Sequence, residues 1–181
     1  MLRRWFENHS STSPGIWLVL SKKNSKTPTV TYKEAVEEAL CFGWIDSTLH
    51  VVDDDHFLLL FSPRKENSIW SKRNKQRVEK LIKQGLMTPA GLQKIEAAKR
   101  NGSWHALNAV ENLKMPIDLA RALDNNSTAK RNFAALNKST KKMLLYWIDR
   151  AKKVETRKKR IEHIIVRTSE SKNPILPQKQ R

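Results

Sequence analysis

Strand-like segments in this chain end at Ser62, and every periodic signal from Ser68 onward is helical. That segregation points to an α+β fold: an N-terminal antiparallel sheet with helices, followed by an all-helical C-terminal half. Ser13-Pro14-Gly15 is a turn, and Ile16 to Leu20 follows as a buried strand. Thr31 precedes a helix from Tyr32 to Phe42 and has Glu34 three residues on, the spacing of a capping box; Gly43 ends that helix. The strands Trp44 to Val52 and Phe57 to Ser62 are joined by the short polar run Asp53-Asp54-Asp55-His56, which predicts a hairpin.

Ser68 or Ser71 starts the first helix of the second half, which stops at Gly85. Thr88-Pro89 supplies an N-cap and a first-turn proline for Ala90 to Arg100, closed by Asn101-Gly102. Pro116 opens Ile117 to Leu123, Ser127 to Leu136 forms another helix, and Ser139 begins a long final helix reaching about Val166. The expected organisation is an α+β half over residues 1–66, a basic helical half over 67–166, and a disordered tail over 167–181.

Charge divides the chain at nearly the same place. Residues 1–70 carry 8 Lys/Arg against 9 Asp/Glu, and residues 71–181 carry 27 against 9, so the whole net charge of +17 arises beyond Trp70. So basic a segment gains free energy from any polyanion that releases counterions on contact: nucleic acid, an anionic lipid surface or an acidic protein. With 39% hydrophobic and 29% charged residues the chain is too apolar for disorder. No stretch approaches the ~18 apolar residues of a spanning helix, so no transmembrane segment is expected. The first residues lack the apolar core of a secretory signal, and the expected location is cytoplasmic. The single cysteine, Cys41, excludes an internal disulfide and a Cys-rich zinc site.

No catalytic constellation stands out. Cys41 lies in an apolar helix, where a thiol is packing rather than nucleophile. There is no nucleophile elbow, phosphate-cradling glycine loop or dinucleotide fingerprint, and no cofactor is expected. Three consecutive carboxylates at Asp53 to Asp55 fan outward on a turn and cannot converge on one metal ion. Two features remain. Trp44, Asp46, Arg64 and Trp70 meet around the hairpin, as a small binding pocket or as a structural corner with a buried Asp46–Arg64 pair. The last helix carries its densest cations at Lys152, Lys153, Arg157, Lys158, Lys159 and Arg160, the candidate polyanion-binding residues.

The strings Gly15-Ile16-Trp17-Leu18, Tyr32 to Asp46, Phe61-Ser62-Pro63-Arg64 and Trp70-Ser71-Lys72 resemble the YdeI/OmpD-associated family, also called bacteriocin-protection proteins. So do Met87 to Leu92, Ala98 to Trp104, Trp147 to Lys152 and Glu155 to Ile161, so that the resemblance runs along nearly the whole chain. It implies a YjbR/CyaY-like N-terminal half and a helical C-terminal half, with a link to resistance against bacteriocins or cationic antimicrobial peptides. It implies no catalytic residues. The family usually has more chain before the first helix, so that helix, or a strand before it, is expected to be incomplete. The function expected is non-enzymatic stress protection through a polyanionic partner. The alternatives are nucleic-acid binding as the primary role and a small-ligand sensor at the Trp44/Asp46/Arg64/Trp70 corner.

Overall fold

The computed structural model describes residues 1–22, 24–25, 29–172 and 174, and the chain divides into two units, Met1–Ala106 and Leu107–Arg181. The boundary therefore lies well past residue 66. Charge marks the surface, whereas burial decides which helices share a core, and the first two basic helices after Trp70 bury their apolar sides with the sheet.

The first unit comprises α1 (Leu2–His9), β1 (Ile16–Ser21), α2 (Tyr32–Cys41), β2 (Trp44–Val51), β3 (His56–Pro63), α3 (Lys72–Lys83) and α4 (Pro89–Arg100). The strands lie in the order β1-β3-β2 with both pairings antiparallel, so the hairpin forms as read. β3 is central, and its Leu59 and Phe61 are buried with Leu20 of β1. β1 is not a fully buried strand: Trp17 and Val19 are 43% and 51% exposed. Alternate residues on a strand face opposite sides, and here only one side is covered.

The capping box at α2 is present, with the Thr31 side chain accepting from the Glu34 amide and the Glu34 carboxylate accepting from the Thr31 amide at 2.9 Å. Gly43 ends the segment at φ +74°, a conformation that a side chain would strain. α2 buries Ala35, Val36, Ala39, Leu40 and Cys41. α3 and α4 add Val78, Leu81, Ile95 and Ala98 to the same core. Thr88, the N-cap of α4, locks it to the end of α2, its amide and hydroxyl both donating to the Cys41 carbonyl at 3.1 and 2.7 Å.

The second unit comprises α5 (Asn108–Glu111), α6 (Ile117–Asp124), α7 (Ser127–Ala135), α8 (Lys138–Asp149) and α9 (Val154–Ser169). Asn126 and Asn137 cap α7 and α8, accepting from the Ala129 and Thr140 amides at 2.9 and 2.8 Å. Leu119, Leu123, Phe133, Leu144, Ile148 and Ile164 form a second core.

The long helix expected from Ser139 to Val166 is two helices. α8 ends in a turn, with the Ala151 amide donating to the Ile148 carbonyl at 3.1 Å, and α9 folds back upon it. Arg157 donates to the Ile148 carbonyl at 3.4 Å, beside the Ala151 amide, and Arg160 to the Trp147 carbonyl, so cations of α9 bond the last carbonyls of α8. A run of helix-forming residues hides that break, because the caps come from beyond it. The expected tail also begins later: residues 167–169 close α9, and Asn132 of α7 donates to the Thr168 carbonyl at 2.7 Å. Asn173 and residues 175–181 lie outside the described residues. No helix among the described residues is long and apolar enough to cross a membrane.

Candidate functional site

In the first unit, β3 delivers Arg64 to a corner between the sheet, the start of α3 and the end of α4. The Arg64 amide donates to the Gly43 carbonyl at 2.9 Å, anchoring the backbone, and the residue is 2% exposed. Nη1 donates to the carbonyl oxygens of Ser68 and Ile69 at 3.5 and 3.2 Å and to Ser68 Oγ at 3.3 Å. The guanidinium lies over the Trp70 ring, 3.8 Å from its centroid, and Trp70 meets Trp104 at 5.0 Å. Lys75 and Lys99 approach the Trp104 ring at 5.6 and 5.5 Å. Burial pulls the Arg64 pKa down to about 10, against the opposing field of Asp46.

Asp46 and Arg64 make no direct ion pair. Asp46 stands opposite Phe61, three residues short of Arg64 along β3, and accepts from the Tyr32 hydroxyl at 3.1 Å. Burial, then the Asp46 charge, raises the Tyr32 pKa. Trp44 also leaves the expected corner: its indole donates to the Ser10 carbonyl at 3.2 Å, and its ring packs edge-on against Trp5 and Phe6 of α1. The structure thus joins Arg64 to Trp70 and adds Trp104 and Ser103, which no local pattern connects to a strand end forty residues away. Asn101 makes that connection, donating to the Glu66 carbonyl at 2.9 Å and accepting from the Ser103 amide at 3.0 Å.

Cys41 is buried, and burial pushes its thiol pKa up. Asp53 accepts from the Asp55 and His56 amides at 2.8 and 2.6 Å, bonds that hold its carboxyl below the usual range and close the hairpin turn.

In the second unit the six cations split into two sets. Arg157 grips Asp118 of α6 through one edge of its guanidinium, Nε to Oδ2 at 2.6 Å and Nη2 to Oδ1 at 3.0 Å. That contact lowers the Asp118 pKa and raises that of Arg157. Arg160 reaches the Trp147 carbonyl and lies over the Trp147 ring at 5.2 Å. Lys152, Lys153, Lys158 and Lys159 are exposed, the first two in the link before α9 and the others on its early turns. A cleft of about 560 Å³ between α6 and α9, lined by Val154, Ile161 and Ile165 among others, opens beside Lys158.

No curated protein and no solved structure matches the chain. Residues 112–171, most of the helical unit, match the family described as bacteriocin-protection, YdeI or OmpD-associated. The family resemblance is thus located in the second unit rather than along nearly the whole chain. Residues 1–94, just over half of the chain, match a different family, so the chain belongs to the domain of unknown function DUF8412 and carries a bacteriocin-protection, YdeI or OmpD-associated segment in its helical unit.

Proposed function

We propose that the chain is a non-enzymatic, cytoplasmic protection factor against bacteriocins or cationic antimicrobial peptides. It works by binding a polyanion through the lysines at the start of α9. The observation that carries this reading is the division of labour among the cations. Arg157 and Arg160 serve the fold, while Lys152, Lys153, Lys158 and Lys159 stand exposed with no acceptor among the described residues. Four unpaired ammonium groups within eight residues create a local positive potential that a row of phosphates or headgroups relieves.

Replacing those four lysines by glutamine keeps helix propensity and removes the charge. Titration of both proteins against duplex DNA, RNA and anionic vesicles at two salt concentrations tests the reading. The variant is expected to bind more weakly, with a salt slope shallower by about 0.9 for each DNA phosphate no longer neutralised. Equal affinity at both salts for every polyanion overturns it.

A second reading, nucleic-acid binding as the primary role, has its own support. The apolar side of α9 is committed to the core through Ile161 and Ile164, 8% and 0% exposed. A helix that lies in a membrane needs that side free, whereas one that tracks phosphates does not. Tighter binding to duplex or RNA than to vesicles of equal charge density favours this reading.

A further inference from the structure

The corner of the first unit contains more donors than the fold uses. Arg64 Nε and Nη2, Trp70 Nε1 and Ser103 Oγ are all buried without a partner among the described residues. Their residues are 2%, 1% and 8% exposed. Nε–H and Nη2–H point the same way from one edge of the guanidinium, the fork that matches two oxygens of an oxyanion. Nη1 is engaged by Ser68 and Ile69, and one face of the guanidinium plane by the Trp70 ring. Stacking sets the indole beside the guanidinium, and the Trp70 amide, donating to the Ser103 carbonyl at 3.4 Å, brings Ser103 to the same corner.

Charge separates this arrangement from an ordinary buried polar cluster. Every acceptor of Arg64 among the described residues is a neutral oxygen, and Asp46, whose field reaches it, is bonded to Tyr32. A buried cation without a counter-charge is costly, and a neutral hydrogen-bonding partner does not remove that cost. A cleft of about 300 Å³ adjoins the site, lined by Ser62, Pro63, Lys65, Asn67 and Ser68, the chain on either side of Arg64. Ser68 is both a wall of that cleft and a partner of Nη1, so only the chain at Ser68 stands between the cleft and the guanidinium.

We propose that this corner is a receptor for a small oxyanion, gripped by the Nε/Nη2 edge of Arg64 and further bonded by Trp70 Nε1 and Ser103 Oγ. The oxyanion enters through the cleft beside Lys65 and supplies the counter-charge that the protein withholds. The site is independent of the lysines of α9.

The test is a titration of the full chain, followed by ¹H–¹⁵N spectra of the Arg64 Nε–H and Trp70 Nε1–H groups, assigned with Arg64→Lys and Trp70→Phe. Sodium formate and sodium phosphate are the two probes, with sodium chloride at matched ionic strength as reference. Saturable movement of both signals with formate or phosphate, absent with chloride, is the expected result. The tighter probe identifies a carboxylate or a phosphate as the natural class. Ser103→Ala loses one bond to a charged ligand and is expected to bind about tenfold more weakly. Replacing Lys152, Lys153, Lys158 and Lys159 by glutamine leaves the movements unchanged, which keeps this site distinct from the polyanion surface. Signals that stay still, that follow chloride equally, or that titrate identically in Ser103→Ala overturn the proposal. Should Arg64→Lys or Trp70→Phe fail to fold, the two signals are assigned in the wild-type chain by through-bond correlation from their own backbone amides.

Discussion

Gly91→Ala is expected to destabilise the first unit, although alanine is the better helix former. Gly91 lies in the first turn of α4, where α4 crosses the end of α2. A Cβ there would stand 2.2 Å from the Cys41 carbonyl oxygen and 2.8 Å from both the Cys41 carbonyl carbon and Met87 Cε. The methionine can swing away; the carbonyl is backbone. Restoring 3.0 Å needs a displacement of about 0.8 Å between the two helices. That movement stretches both bonds from Thr88 to the Cys41 carbonyl, now 2.7 and 3.1 Å. Losing two neutral hydrogen bonds costs about 2 kcal/mol. Overpacking adds ~1–3 kcal/mol. Helix propensity returns about 1 kcal/mol. The net expectation is a loss of about 2–4 kcal/mol, read from urea unfolding followed by far-ultraviolet circular dichroism. Gly85→Ala provides the contrast. Gly85 has φ +67° and nothing within 4 Å of a built Cβ, so its cost is backbone strain alone, about 1–2 kcal/mol. A Gly91→Ala protein as stable as the wild type would refute the close approach of α4 to α2.

The Asp118–Arg157 contact makes stability depend on acid. A folded carboxyl held below its unfolded value stabilises fully above pH ~4 and loses that contribution as pH falls through the lower folded value. Asp118 is 46% exposed, so the loss is at most ~1 kcal/mol, and Asp118→Asn should flatten the acid limb of the stability curve; an unchanged limb contradicts the pairing. Arg157→Gln removes both this contact and the cap on Ile148, and is expected to lower stability by about 1–2 kcal/mol, whereas Lys158→Gln is expected to be near neutral by the same urea assay. Cys41→Ala is expected to destabilise modestly, and the native thiol to resist a thiol reagent; rapid labelling would contradict its burial.

The sites show where a sequence reading reaches its limit. Arg64 and Trp70 lie six residues apart, close enough for their types and spacing to suggest a shared corner. Asp46 carries the right charge to pair with Arg64, yet the β2–β3 register sets it opposite Phe61 and the Tyr32 hydroxyl takes it. Lys152 to Arg160 read as one basic cluster. Only the folded-back α9 separates the arginines that close α8 from the lysines that remain exposed.

What the chain determines by itself is whatever acts within a few residues. The Thr31–Glu34 box, the Thr88-Pro89 start of α4, the glycine after α2 and the polar turn of the hairpin all stand where local chemistry puts them. Capping, turn formation and alternation need no distant partner. Tertiary structure alone decides the unit boundary, the break between α8 and α9, the partner of Asp46 and the division of the cations. Each depends on which groups are buried together: Arg157 finds Asp118 across 39 residues, and a helix end of α8 is capped from a helix that follows it. A buried polar group must find a partner wherever the fold brings one, and nothing in its own neighbourhood of the chain says which that will be.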